Sequence, residues 1–501
     1  MYSVPASEQN RLRSPPLAPK TRGKTRLVLV RILNTRTKTP LVLVFWTNIR
    51  LYEAVAFAMQ ERNLCIVLTT LIGLCTAPPG RLAAQAPPTP DGPEVQVNTL
   101  TAGDQSSPAV ALHDNGFVVV WQNVDPPLGS LATVRGQRYD NSGNTAGSSF
   151  QVNTTTGFQG QASLAVWPDG RFVAVWADLD VTDVRGQLFA ADGSFNGSEL
   201  LINTYTTDEQ VWPVARVADD GSFLVVWQSL GSTGSDNDGR SVQGQRFDSN
   251  GGLLGGQFQV NTYTTGDQYN PALEKAPDGS FVVAWSSFGS PGNDNDATSI
   301  QLRRLAADGT PLATDFQVNT FTTDYVYTPR IGVDRNGRFV VAWGGYSSPG
   351  DDTDYGISAR LFEANAAPVG QDFQVNEITI GNQAPAAVAM ARDGGFTVVW
   401  DGDGSELGGD GYAVVGRAFD STGTPQGGDF LLNSLTTNNQ KVPALATNEV
   451  GDWVVVWGSE TSAGSDSDGY SVQWRRFLAD ALIFANGFES GDLGDWSGAE
   501  P

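Results

Sequence analysis

With 501 residues, 57 Gly, 27 Pro, 10% aromatic and only 17% charged residues, the sequence has the profile of a turn-rich β protein; a coiled coil or a globally disordered chain is excluded. Charge is uneven: residues 1–58 carry net +8, whereas 87–501 hold 19 Lys/Arg against 51 Asp/Glu, net −32. So acidic a body repels nucleic acid and anionic membrane, which excludes a nucleic-acid-binding role and leaves cations and neutral molecules as partners.

Residues 1–58 are basic and carry no repeat, and they read as an upstream extension ahead of a true start at Met59; a genuine long leader is the alternative. From Met59 the chain runs MQERN, then the apolar stretch Leu64–Cys75, then a small-residue triplet Ala84-Gln85-Ala86. This is the pattern of a secretory signal over 59–86 with cleavage after Ala86, and its apolar core is too short to span a bilayer. Export to the cell surface or medium is therefore expected, with no transmembrane span in the mature chain. Both cysteines, Cys65 and Cys75, fall inside the signal, so thiol nucleophiles and Cys/His zinc sites are excluded from the exported body. His113 is its single histidine and reads as a turn residue.

After a linker (87–93), one unit repeats seven times over 94–481. An aromatic-V-x-V/A-W strand recurs at Phe117–Trp121, Phe172–Trp176, Phe223–Trp227, Phe281–Trp285, Phe339–Trp343, Phe396–Trp400 and Trp453–Trp457, spaced by 51 to 58 residues. An Asp/Asn-Gly turn precedes most copies, and a Pro- and Ala-rich strand precedes that turn. An alternating strand such as VQGQRFD (242–248) follows, then FQVN or a variant. Four short strands per unit predict an all-β, seven-bladed β-propeller of four-stranded blades. Asn98, Asn153, Asn203, Asn261, Asn319, Asn376 and Asn433 each end a fourth strand. The first of these strands, EVQVN (94–98), precedes any complete unit, and the last unit lacks its own copy. The N-terminal strand is thus expected to pair into the last blade and close the ring. Pro108, Pro213, Pro271, Pro329 and Pro443 are expected to open the first strands, at an edge that needs no donor.

Two loop sets emerge on one face of such a ring. Those after the second strand carry Asp pairs at a common offset: Asp236/Asp238, Asp294/Asp296, Asp352/Asp354 and Asp466/Asp468. Carboxylates two apart in a Gly-bounded loop suit a hard cation such as Ca²⁺, although the distal Glu of an EF-hand is missing. A solvated acidic loop is the other reading. The second set, N-T-x-T-T-x-x-Q, reads as blade-to-blade fastening, because short Asn and Thr side chains bond nearby backbone.

The units resemble a group of secreted bacterial repeat proteins built from FQVNTxTTGDQ…DGxFVVVW, with Phe258–Gln268 the cleanest copy. The resemblance implies export and a repetitive β-fold, and it implies no activity. Asp-box sialidase and WD40 signatures are absent. The final segment, 482–501, contains FANGFESGDLGDW and resembles a C-terminal tail of exported bacterial proteins, where it would serve sorting or attachment; a packed terminal strand is the alternative.

No blade stands out as carrying residues the others lack, which argues against an enzyme. The expectation is an exported, non-enzymatic binding or adhesion scaffold, Ca²⁺-stabilised on its acidic face, with an extracellular glycan or protein as ligand. The rival is a carbohydrate-active hydrolase or lyase using Asp/Glu carboxylates on the same face. Oligomeric state is not legible.

Overall fold

The computed structural model describes residues 27–33, 40–46, 89–124, 131–294, 297–322, 324–346, 355–448 and 451–478. The segments read as signal peptide (59–86) and tail (482–501) lie outside these residues. Of the unit spanning Met1–Ala83, the described part is one antiparallel pair, Leu27–Leu33 with Pro40–Trp46.

The unit Ala84–Pro501 contains seven four-stranded antiparallel sheets, each ordered first strand to fourth. The first strands are Asp104–His113, Gln159–Val166, Gln210–Val217, Gln268–Lys275, Val326–Val333, Gln383–Met390 and Gln440–Thr447 for blades 1 to 7. They touch one another in sequence round the ring, blade 7 meeting blade 1, and so form its inner wall. The protein is a seven-bladed β-propeller.

Closure follows the expected route. Val95–Gln96 pairs with the third strand of blade 7, Ser471–Phe477, with Val95 opposite Trp474 and Gln96 opposite Gln473. The pairing extends upstream into the linker, where the Asp91 N–H donates to the Arg476 carbonyl at 2.9 Å.

Valine-rich second strands are buried on both faces because each blade packs between two others. Seven apolar clusters result, each drawn from two neighbouring blades. One joins Val454, Val456 and Trp474 of blade 7 to Phe117, Val119 and Trp121 of blade 1. The repeat tryptophans, Trp121 through Trp457, are all fully buried. One Trp–Phe pair removes on the order of 300–400 Å² from water, worth up to about 10 kcal/mol before chain entropy. In five blades the indole N–H is satisfied by a first-strand glutamine, as in Trp227 to Gln210 Oε1 at 2.9 Å. Close packing also explains a third-strand glycine: a Cβ on Gly244 would sit 2.7 Å from the Phe258 ring.

The prolines depart from expectation. They lie inside the first strands, at a β-bulge, instead of opening them. The bulge takes one residue out of the ladder, so the missing N–H is not needed there. The preceding residue adopts a left-handed backbone in six blades: Ser107, Gln161, Trp212, Asn270, Thr328 and Val442, with φ between 50° and 56°. Gln161 precedes Ala162, so the bulge itself, and not the proline, imposes this conformation.

Candidate functional site

The fourth-strand asparagines are the most regular polar feature. Each of the seven accepts a third-strand backbone N–H on Oδ1, from Val134, Val184, Val242, Ile300, Ile357, Val414 or Val472, at 2.7–2.9 Å. Each Nδ2 donates to the carbonyl two residues on, at 2.6–3.0 Å.

These asparagines also organise the Asp loops. Asn261 Nδ2 donates to Asp236 Oδ2 at 2.6 Å, Asn319 to Asp294 at 2.7 Å and Asn98 to Asp466 at 2.7 Å. The first Asp of each described pair is therefore buried and turned inward, and burial pushes the Asp236 and Asp466 carboxyls above the usual range. The second Asp spans to the next blade's loop: Asp238 Oδ2 accepts the Gly266 N–H at 3.1 Å, and Asp468 the Gly103 N–H at 3.3 Å. Asp296, Asp352 and Asp354 lie outside the described residues. Among the described residues, no three His, Cys, Asp or Glu side chains converge as a metal site would require.

Blade-to-blade fastening uses a residue that sequence reasoning missed. In six blades the residue four positions before the fourth-strand asparagine reaches back to the loop of the preceding blade. Gln257 accepts the Thr204 N–H at 2.7 Å, Asp315 the Thr262 N–H at 2.8 Å, Asp372 the Thr320 N–H at 2.9 Å and Asp429 the Glu377 N–H at 2.9 Å. Glu199 holds Thr154 in the same way. Glu94 holds Ser434 at 2.6 Å, so the N-terminal strand straps blade 6 as a blade-7 strand should. In blades 4 to 7 an arginine adds a second strap: Arg303, Arg360, Arg417 and Arg475 donate to the carbonyls of Val260, Val318, Val375 and Leu432 in the preceding blade.

Against this repetition, blades 3 to 5 break the symmetry at the mouth of the ring, contrary to the expectation that no blade stands apart. A concavity of about 340 Å³ lies where their first strands begin and their second strands end. Trp212, Phe288 and Tyr325 line it, 49%, 49% and 40% exposed, beside Tyr269 and Tyr327. Tyr325 stacks on Tyr327 at 5.7 Å with rings 11° apart, and Tyr327 on Tyr355 at 6.2 Å and 13°. The polar wall comprises Gln228, Asn270, Arg240 and Asp267. Arg240 Nη2 donates to Glu209 at 2.9 Å and Nη1 lies 3.7 Å from Asp267, which pairs the charges. The signal was present as departures from the repeat: at the bulge other blades place Ser107, Asn270, Thr328 or Val442 where blade 3 has Trp212.

A second asymmetry is Asp401, directly after the blade-6 Trp400. It accepts the Val442 N–H of blade 7, and Lys441 and Arg330 lie near, yet desolvation dominates and pushes its carboxyl up to about 6. A further hollow of about 410 Å³ lies on blades 5 and 6 between Glu377, Ile380, Glu406 and Asp429, where Arg417 lies 3.5 Å from Glu377 and 3.8 Å from Asp429. His113 closes the first hairpin of blade 1, at the strand ends opposite the mouth, and its Nδ1 accepts the Asn115 N–H at 3.2 Å.

No family model matches the chain. No curated relative matches it either. Solved structures similar to it include a protein of unknown function from Dyadobacter fermentans, at 11% identity and TM-score 0.44, covering 77% of this chain and 98% of that one. The β-propeller domain of the Trilobed protease from Pyrococcus furiosus matches at 10% identity and TM-score 0.42, over 77% and 99%. An α-L-arabinofuranosidase from Fusarium graminearum matches at 12% identity and TM-score 0.45, over 63% and 92%. At these values the likenesses carry no inference about activity.

Proposed function

We propose that the protein is an exported binding scaffold that does no chemistry on its ligand. The observation that carries this reading is the occupation of the repeat's carboxylates. Asp236, Asp294 and Asp466 hold asparagine amides, and Glu94, Glu199, Asp315, Asp372 and Asp429 strap neighbouring blades. A glycoside hydrolase needs two carboxylates facing one cleft about 5–10 Å apart. At the mouth, Asp267 is set against Arg240, and Asp401 belongs to the contact of blades 6 and 7; in the hollow of blades 5 and 6, Glu377 and Asp429 are both set against Arg417, and Asp429 also straps the Glu377 backbone. Calcium, in this reading, sits on the exposed Asp238 and Asp468 and stiffens the acidic loops without entering any reaction.

Export is tested by mass spectrometry of secreted material, which should begin at Pro87. The scaffold reading is tested by incubating purified protein with polysaccharides and assaying released reducing ends over days. Release that persists through purification and vanishes in Asp401→Asn or Asp267→Asn would replace the scaffold with a hydrolase.

A further inference from the structure

We propose that the concavity on blades 3 to 5 is a binding site for a short stretch of neutral glycan, with Trp212 and Tyr325 as stacking platforms for its sugar rings. The inference rests on the scaffold reading and names the ligand class and location that it leaves open. Large aromatic side chains are normally buried, and half-exposed ones gathered in a hollow rimmed by polar groups mark a binding surface. Here three of them, each 40% or more exposed, share one hollow of about 340 Å³, at the small end of small-ligand pockets.

In blade 3 the bulge shared by six blades carries Trp212. This residue occupies the left-handed bulge at φ 56°, a conformation a bulky side chain adopts at a penalty of about 1–2 kcal/mol. Its N–H is held at 3.0 Å by Gln161 Oε1 from blade 2, so the neighbouring blade fixes the bulge that aims the indole. No other bulge carries an aromatic residue, and Tyr269 and Tyr327 stand where blades 1, 2, 3 and 7 have Ser106, Gly160, Val211 and Lys441. Repetition of the unit accounts for neither set, which leaves the ligand as their reason.

Ligand class follows from charge and ring geometry. Residues 87–501 carry net −32, which disfavours anions. A quaternary ammonium ion would call for rings enclosing a point; Tyr325 and Tyr327, which line the hollow, lie parallel, and the perpendicular pair Tyr346 and Tyr355 stands outside its lining. Arg240 is held between Glu209 and Asp267, whose two carboxylates outweigh its charge, so it gives an anion no net attraction. Gln228 and Asn270 add neutral amide groups to the same wall. Flat apolar faces beside uncharged donors match a pyranose ring, which shows C–H groups on its faces and hydroxyls at its rim.

The test titrates the full chain, purified after secretion, with hexaoses of β-1,4-glucan, β-1,3-glucan, β-1,4-xylan, β-1,4-mannan and α-1,4-glucan. Choline and an oligogalacturonate serve as cationic and anionic probes. At least one neutral hexaose should bind with submillimolar Kd and change tryptophan emission. Trp212→Ala and Tyr325→Ala should each weaken it at least tenfold at unchanged melting temperature, the second at a residue outside the bulge. Trp212→Phe should bind within threefold of wild type without the emission change. Failure of every neutral hexaose to bind at 10 mM, tighter binding of choline or oligogalacturonate, or wild-type affinity in both alanine variants overturns the proposal. Released reducing ends would overturn the scaffold reading alone and leave this site in place.

Discussion

Asn261→Ala and Asn153→Ala remove the same residue type from the same position of two blades, and they should not cost the same. Asn153 accepts the Val134 N–H at 2.8 Å and donates to the Thr155 carbonyl at 2.6 Å. Losing it leaves a buried N–H unsatisfied, which costs about 1–3 kcal/mol, and removes a neutral hydrogen bond of about 1 kcal/mol. Asn261 makes the equivalent bonds to Val242 and Tyr263, and in addition donates to Asp236 at 2.6 Å. Asp236 is fully buried, so its carboxylate would lose a charge-assisted bond worth about 1.5–3 kcal/mol more. That excess belongs to the ionised acid. In the variant the folded-state pKa of Asp236 rises further above its unfolded value, so the penalty is full at high pH and fades as pH falls and the acid protonates. Urea midpoints at pH 8 and pH 5 would measure both effects, with unchanged m-values as the check on two-state behaviour. Equal midpoint shifts for the two variants at pH 8, or a gap as large at pH 5 as at pH 8, would refute the assignment of Asp236 as a buried partner of Asn261.

Three further outcomes are expected. Deleting 87–99 removes Val97, Glu94 and the four side-chain bonds of Asn98 and bares the edge of Ser471–Phe477, so the product should aggregate or melt far below wild type, while deleting 482–501 should leave melting nearly unchanged; equal melting of wild type and the 87–99 deletion counts against ring closure. Asp401 is pushed up to about 6, so its ionised form opposes folding above that pH and stops doing so as pH falls toward 4; Asp401→Asn, which keeps an acceptor for Val442, should stabilise by up to about 3 kcal/mol at pH 8 and by little at pH 4. Scanning calorimetry that finds this variant less stable than wild type at pH 8 rejects that account. Ca²⁺ at ten times its Kd should add roughly 1.4 kcal/mol per loop site beyond matched NaCl, a gain absent in Asp238→Asn/Asp468→Asn, and an equal response to both salts dismisses the cation.

Fold and closure were legible in the sequence because they rest on local, repeated signals. The aromatic-V-x-V-W strands and Asp-Gly turns set strand periodicity seven times over, and the displaced EVQVN strand announced which edge it must fill. A core packed from both faces requires such runs, so pattern and burial agree from Phe117 to Trp457. What the tertiary structure alone decided is which polar residues meet. Asp236 and Asp238 look alike in the chain, yet one turns inward to Asn261, twenty-five positions away, and the other spans to Gly266. Gln257 and Thr204 are fifty-three residues apart and become a strap only because consecutive blades set their outer strands side by side. The mouth shows the same dependence. Trp212, Tyr269, Phe288 and Tyr325 are scattered over three units as unremarked exceptions to a repeat, and only the closing of the ring brings strand starts and strand ends of adjacent blades to one hollow. Backbone periodicity is a property of neighbours in sequence, whereas a site on a propeller is made by neighbours in the ring, one whole blade apart.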